Sequence, residues 1–430
     1  MKKQFCLLVV FLLLLPNIAN AEPVTEGVKV AFVRDGFLWT KINNKEEKIT
    51  TEKSTYTNPP QWSHDGKWIA YQVEAKKKLS PYIESQTEIW VYNLETKKHK
   101  RITIDGTNPK WSPVENILAF KSGGVLNVSN LEHFYNIALG VGDYSWYPDG
   151  RSFITASGAS LRPDGWTNPV LFKIGLEKDL AKITSLTKNV KQLYTIPSEL
   201  KKGNISLLAI DASNFQFSPD GKWISFVVSP TASWSMDSNM VCVISSDGQN
   251  FEALDEIIGK FSPKWAFQEN RIGYIAGGGR IVFGFKNKDL KVTEMPAFKS
   301  ISLTPPKFAE LGFAWKNDHS LVVSRVKESE WSNNEKQRPD PSLFLIKIGD
   351  HAQMQITHPP KDYGDYDPIY LPSANKLTWL RKKDLAETQR DLWIAGQKGE
   401  NPKVWIKNVG GYDFFEIVKR PSESLSFTIV

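Results

Sequence analysis

Apolar and polar residues alternate along this chain in short bursts, and the bursts come in sets. Seven times an aromatic residue is followed, seven positions on, by an apolar residue that opens a strand-like run. The aromatic anchors are Trp62, Trp111, Trp146, Phe217, Trp265, Trp315 and Tyr370. Their partners are Ile69, Leu118, Phe153, Ile224, Ile272, Val322 and Leu377. Between them lies a turn, written Ser-His-Asp-Gly at 63–66, Tyr-Pro-Asp-Gly at 147–150 and Ser-Pro-Asp-Gly at 218–221. Such turns join antiparallel strands because their residues tolerate positive φ. The second run often reads apolar-small-aromatic, as in Ile69-Ala70-Tyr71 and Ile224-Ser225-Phe226. Its middle residue faces away from its neighbours, as a pleated strand requires. Third runs follow at 88–92, 170–172, 240–244, 280–283, 343–346 and 391–394, and a fourth ends in Ile-Thr at 102–103 and 356–357. Four short antiparallel strands in a unit of about 50 residues predict an all-β chain folded as a β-propeller of four-stranded blades.

Eight blades are expected, with seven as the alternative. The spacing of seven recurs between Val418 and Leu425, at the C-terminus. At the N-terminus, Val30-Ala31-Phe32 looks like a second strand, Phe37-Leu38-Trp39 like a third and Lys48-Ile49-Thr50 like a fourth. A blade shared by both chain ends would close the ring and remove exposed sheet edges.

The segments Trp62-Ser-His-Asp-Gly-Lys-Trp-Ile-Ala-Tyr71 and Phe217-Ser-Pro-Asp-Gly-Lys-Trp-Ile-Ser-Phe226 resemble the TolB-type propeller repeat. The resemblance extends over essentially the whole chain after residue 21. It is strong at the units starting at 62, 111, 146 and 217 and weaker at 265, 315 and 370, where the turn motif has decayed. TolB carries an α/β domain ahead of its propeller, and no such segment stands out here.

Residues 1–21 read as a secretory signal peptide. Lys2 and Lys3 precede an apolar run from Phe5 to Leu15, and Ala19-Asn20-Ala21 forms a small-x-small site, with cleavage expected after Ala21. Residues 22–430 then form a single exported propeller domain, extracellular, cell-wall associated or periplasmic, and bacterial. No other run reaches the roughly 18 apolar residues of a membrane span. Cys242 is the sole cysteine beyond the leader and lies in an apolar run, so a buried, inert thiol is expected. The net charge of +7, or +5 without Lys2 and Lys3, is scattered and gives no sign of nucleic-acid binding. A monomer is expected.

Catalytic and metal-binding patterns are sparse. The six histidines show no metal spacing, no G-x-S-x-G elbow occurs, and no cofactor motif is present. Gly277-Gly278-Gly279 reads as a hairpin turn, and Asp362 to Asp367 is the nearest approach to an acidic ion site. What breaks the repeat is the set of long connections between second and third strands, which emerge on one face and carry Tyr82, Arg162, Trp166, Trp234, Trp331 and Arg338. Aromatic and arginine side chains dominate binding hot spots. The expected function is therefore a secreted, non-catalytic binding module or scaffold for a protein or cell-envelope partner. The alternative is a lyase or hydrolase acting on a carbohydrate or peptide at the central channel, with Asp143, Asp211, Asp365 and Arg325 as candidate groups.

Overall fold

A computed structural model describes residues 27–76, 86–231, 238–258, 262–279, 284–349, 353–384, 387–388 and 390–416. Within them the chain is an eight-bladed β-propeller of four-stranded antiparallel sheets. Blade 2 has the order expected from the repeat: inner strand Gln61–Trp62, then Trp68–Glu74, Thr87–Asn93 and Lys98–Thr103. The inner strands of blades 3 to 8 are Thr107–Trp111, Asp143–Trp146, Asp211–Phe217, Lys264–Trp265, Phe308–Asn317 and Gly364–Leu371. Each ends at or just beyond its anchor.

Blade 1 takes strands from both chain ends. Its inner strand is Tyr412–Glu416, paired with Val28–Arg34, which continues to Phe37–Ile42 and Lys45–Lys48. The closing anchor is thus Phe414, opposite Val30. The spacing from Val418 to Leu425 lies outside the described residues.

Tryptophan anchors pack and also link blades. The indole N–H of Trp111 donates to the Gln61 carbonyl at 3.1 Å, Trp146 to Lys110 at 3.0 Å, Trp265 to Gln216 at 3.2 Å and Trp315 to Lys264 at 2.8 Å. In every case the acceptor is the residue before the previous blade's anchor. Trp62 does the same to Asp413, at 3.2 Å, and so carries the link across the ring closure. The turn motif also has two roles. Ser63 Oγ and the Lys67 N–H both donate to Asp65 Oδ1, which fixes the turn, while Asn116 of the next blade donates to Oδ2 at 2.9 Å. Ser218, Asp220 and Asn270 repeat the arrangement. Gly66 has φ +63°, and a Cβ there would lie 2.5 Å from the Phe415 ring of blade 1. Glycine therefore satisfies both the turn and the blade contact.

Two local expectations are corrected. The third strand of blade 6 is Asp289–Glu294, not 280–283, which lies outside the described residues. Leu290 and Val292 pack inward while lysines flank them, a pattern less conspicuous than an unbroken apolar run. Gly277 to Gly279 accordingly begin a longer connection and not a tight hairpin; Gly277 has φ +117°, and the Asn287 backbone passes where a Cβ would stand, so both conditions call for glycine. Cys242 is buried on the third strand of blade 5, and burial pushes its thiol pKa up.

Candidate functional site: the central channel

Counting back from each anchor identifies the channel wall. Side chains alternate along a strand. The residue two before the anchor is buried between blades: Pro109, Tyr144, Phe215, Phe313 and Pro368. Residues one and three before the anchor face the other way. Three before, the ring reads Pro59, Asn108, Asp143, Asn214, Ser262, Gly312, Asp367 and Gly411. Neighbours in this ring touch. Asn108 Nδ2 donates to Asp143 Oδ1 at 3.0 Å, and the Asn214 N–H donates to Asp143 Oδ2 at 2.8 Å, so one carboxylate ties blades 3, 4 and 5. Asn108, Asn214 and Asp367 sit at bulges with φ of 53°, 60° and 49°. Asn and Asp adopt this conformation more readily than other side chains that carry a Cβ.

One residue before the anchor, the second ring reads Gln61, Lys110, Ser145, Gln216, Lys264, Ala314, Ile369 and Asp413. Gln61, Lys110, Ser145, Gln216 and Asp413 line a chamber of about 690 Å³ with the anchors of blades 2 to 5 and Tyr412. That volume suits a small ligand or a short stretch of extended chain.

The chamber's charged groups are perturbed. Burial pushes the Asp413 carboxyl up to about 6, against hydrogen bonds from the Trp62 N–H at 2.9 Å and its own neighbour Phe414. Burial lowers Lys110, whose ammonium donates to the Tyr144 carbonyl and lies 3.9 Å from Asp143. Lys264, at the same ring position in blade 6 but outside the chamber lining, is also lowered by burial and donates to the Phe313 carbonyl at 2.6 Å. A carboxyl that titrates near neutrality can both take and give a proton.

Of the described residues singled out in the sequence, Asp143 is on the channel wall and the others fall elsewhere. Arg325 is buried on the second strand of blade 7, where Nε donates to Glu310 Oε1 at 2.8 Å and the guanidinium lies 5.1 Å from the Phe344 ring. Asp365 is buried in a two-point pair with Arg381 in blade 8, at 2.7 and 2.9 Å. Each acid stands directly opposite its arginine in the strand register, so both pairs hold sheets together. Asp143 is on the channel wall and Asp211 is exposed at the start of blade 5, so the four expected groups do not converge. Trp331 and Arg338 come together, with the guanidinium 4.0 Å from the indole ring; Trp331 stacks on Phe285, and Arg338 pairs with Asp384 at 2.8 Å. Arg162 and Trp166 belong to a separate exposed hairpin, Leu161–Arg162 with Gly165–Trp166. Tyr82 and Trp234 lie outside the described residues. Asp413, Lys110 and Lys264 were missed: Lys110 and Lys264 stand one position before Trp111 and Trp265 and were countable, whereas Asp413 stands before Phe414, an anchor that only the ring closure reveals.

No family model matches the chain, and no curated protein does. Solved structures do. Dipeptidyl peptidase 4 of Porphyromonas gingivalis aligns with 90% of this chain and 58% of its own at a TM-score of 0.56 and 8% identity. A Mycobacterium tuberculosis puromycin-hydrolyzing peptidase aligns with 83% of this chain and 54% of its own, at 0.50 and 12%. The β-propeller domain of the Trilobed protease from Pyrococcus furiosus aligns with 83% of this chain and 98% of its own, at 0.45 and 13%. The chain spans a little over half the length of the first two. The neighbours named here are peptidases, which runs against the expectation of a non-catalytic binding module and toward the enzyme alternative; at 8 and 12% identity the likeness itself shows the β-propeller fold. The chain is an eight-bladed β-propeller with solved counterparts among peptidases.

Proposed function

We propose that this protein is a peptidase-type propeller that acts on peptides at its central channel. The observation that carries the reading is the chamber wall, which combines a carboxyl held near pKa 6 with an ammonium group and the side-chain amides of Gln61, Gln216 and Asn108. Amides offer both donors and acceptors, which match the N–H and C=O groups of an extended peptide. The peptidase neighbours support the same substrate class. In the proposed step, water attacks the scissile carbonyl carbon while Asp413 takes its proton. Asp413 then returns that proton to the amide nitrogen as the C–N bond breaks. Lys110 supplies positive charge on the same wall for the developing oxyanion.

The full chain is expected to turn over fluorogenic aminoacyl, dipeptidyl or internally quenched peptides. Asp413→Asn should lower kcat by about 10² with KM little changed, and should remove an inflection near pH 6 from the pH–rate profile. Absence of turnover on every peptide class, or turnover indifferent to Asp413→Asn, overturns the reading.

The finer family reading, a TolB-like repeat, rests on Trp62 to Tyr71 and Phe217 to Phe226 and belongs to the same proposal. So does export. The protein recovered from the envelope or medium should begin at Glu22, and a chain that retains Met1 would refute cleavage after Ala21.

A further inference from the structure

A second cavity, of about 590 Å³, shares no lining residue with the channel chamber. It lies between the connection from blade 1 to blade 2 and the outer part of blade 2. One wall carries Thr50, Thr51, Glu52 and Ser54; the floor carries Tyr56, Tyr71 and Trp90; the far wall carries Glu88, His99 and Arg101.

The polar groups here are held in place by the protein itself. Glu88 accepts the Trp90 indole N–H at 2.8 Å on one oxygen and Arg101 at 3.1 Å on the other. The Arg101 guanidinium lies 5.6 Å from the Trp90 ring, so acid, indole and guanidinium form one fixed unit. The register explains it: Tyr71, Trp90 and Arg101 are successive cross-strand partners on one face of the sheet. His99 is fixed as well. Its Nε2 faces the Ile49 carbonyl at 3.2 Å, an acceptor only, so Nε2 carries the proton and Nδ1 accepts the Tyr71 hydroxyl at 2.9 Å. At the rim, Lys76 pairs with Glu52.

Both cations that line the cavity therefore already have carboxylate partners, and Glu74 adds a third carboxylate, so three acids against two cations leave a net charge of about −1. An anionic ligand would have to break those pairs, and so gains little. What remains is a set of oriented donors and acceptors, several hydroxyls and three aromatic rings, in a volume typical of small-molecule sites. Directional hydrogen bonding beside apolar ring surface, with little net charge, matches a neutral polyhydroxylated ligand. We infer that this cleft is a saccharide-binding site, independent of the channel.

The test is titration of the full chain with cellotetraose, maltotetraose and chitotetraose, followed by tryptophan fluorescence and calorimetry, with spermidine and a hexuronic acid tetramer as charged comparators. At least one neutral tetrasaccharide should bind. Trp90→Ala and Arg101→Ala should each weaken it by about tenfold or more, with peptide turnover unchanged. Arg101 is exposed, so its variant should fold even where Trp90→Ala does not. The inference is overturned if no neutral saccharide binds, if a charged comparator binds in preference, or if binding survives Arg101→Ala.

Discussion

Two kinds of aspartate in this protein respond to pH in opposite directions. Burial opposes ionisation of Asp65, but hydrogen bonds from Asn116, Ser63 and the Lys67 N–H outweigh it and hold the pKa below the usual value. Asp220 follows the same pattern. Such groups contribute stability above the unfolded carboxyl pKa, and it is lost as pH falls through the folded value. Asp413 is the reverse, raised from 3.8 to about 6. The folded protein binds its proton more tightly than the unfolded chain does, so this group's contribution is full below pH 3.8 and is lost as pH rises to about 6. The loss is at most about 3 kcal/mol. Measured by urea unfolding, Asp413→Asn should stabilise the protein relative to wild type at pH 7 and lose that advantage at pH 4. An advantage independent of pH would contradict the assignment. Little of this was legible in the sequence. Asp413 and Asp65 are the same residue type, and only neighbours brought in by folding set them apart.

Among elements, the blade hairpins were legible and the closure was not. Trp62 and Ile69 pair within one hairpin, so a fixed local spacing reports them. Phe414 pairs with Val30 across the whole chain, and no spacing can show that. The channel wall lay in between. It is periodic, but its chemistry varies from blade to blade, so in the sequence the loops that break the repeat stand out more than the wall does. The contacts of the hairpin turns predict unequal tolerance of substitution. Gly66→Ala places a methyl group against Phe415 at a positive φ and should cost about 2–3 kcal/mol. Gly123 also has positive φ, yet nothing lies within 4 Å of its Cβ position, and Gly123→Ala should cost about 1 kcal/mol. Equal losses in thermal unfolding would show that the contact with blade 1 adds nothing. Trp62→Phe removes the indole link and leaves the Asp413 carbonyl without that donor, a loss of about 1–3 kcal/mol.

On the scale of the whole molecule, blade 1 is the one blade whose strands come from distant parts of the chain. Its pairing joins Phe32 to Tyr412. Contacts so far apart in sequence form late, because the intervening chain must be ordered first. A chain made from its N-terminus can build blades 2 to 8 in order, but blade 1 stays three-stranded until the last segment arrives. That segment carries Asp413. An unfinished or C-terminally clipped molecule thus has seven blades in place and a chamber without its carboxyl. Completion of blade 1 and placement of Asp413 on the chamber wall become a single event.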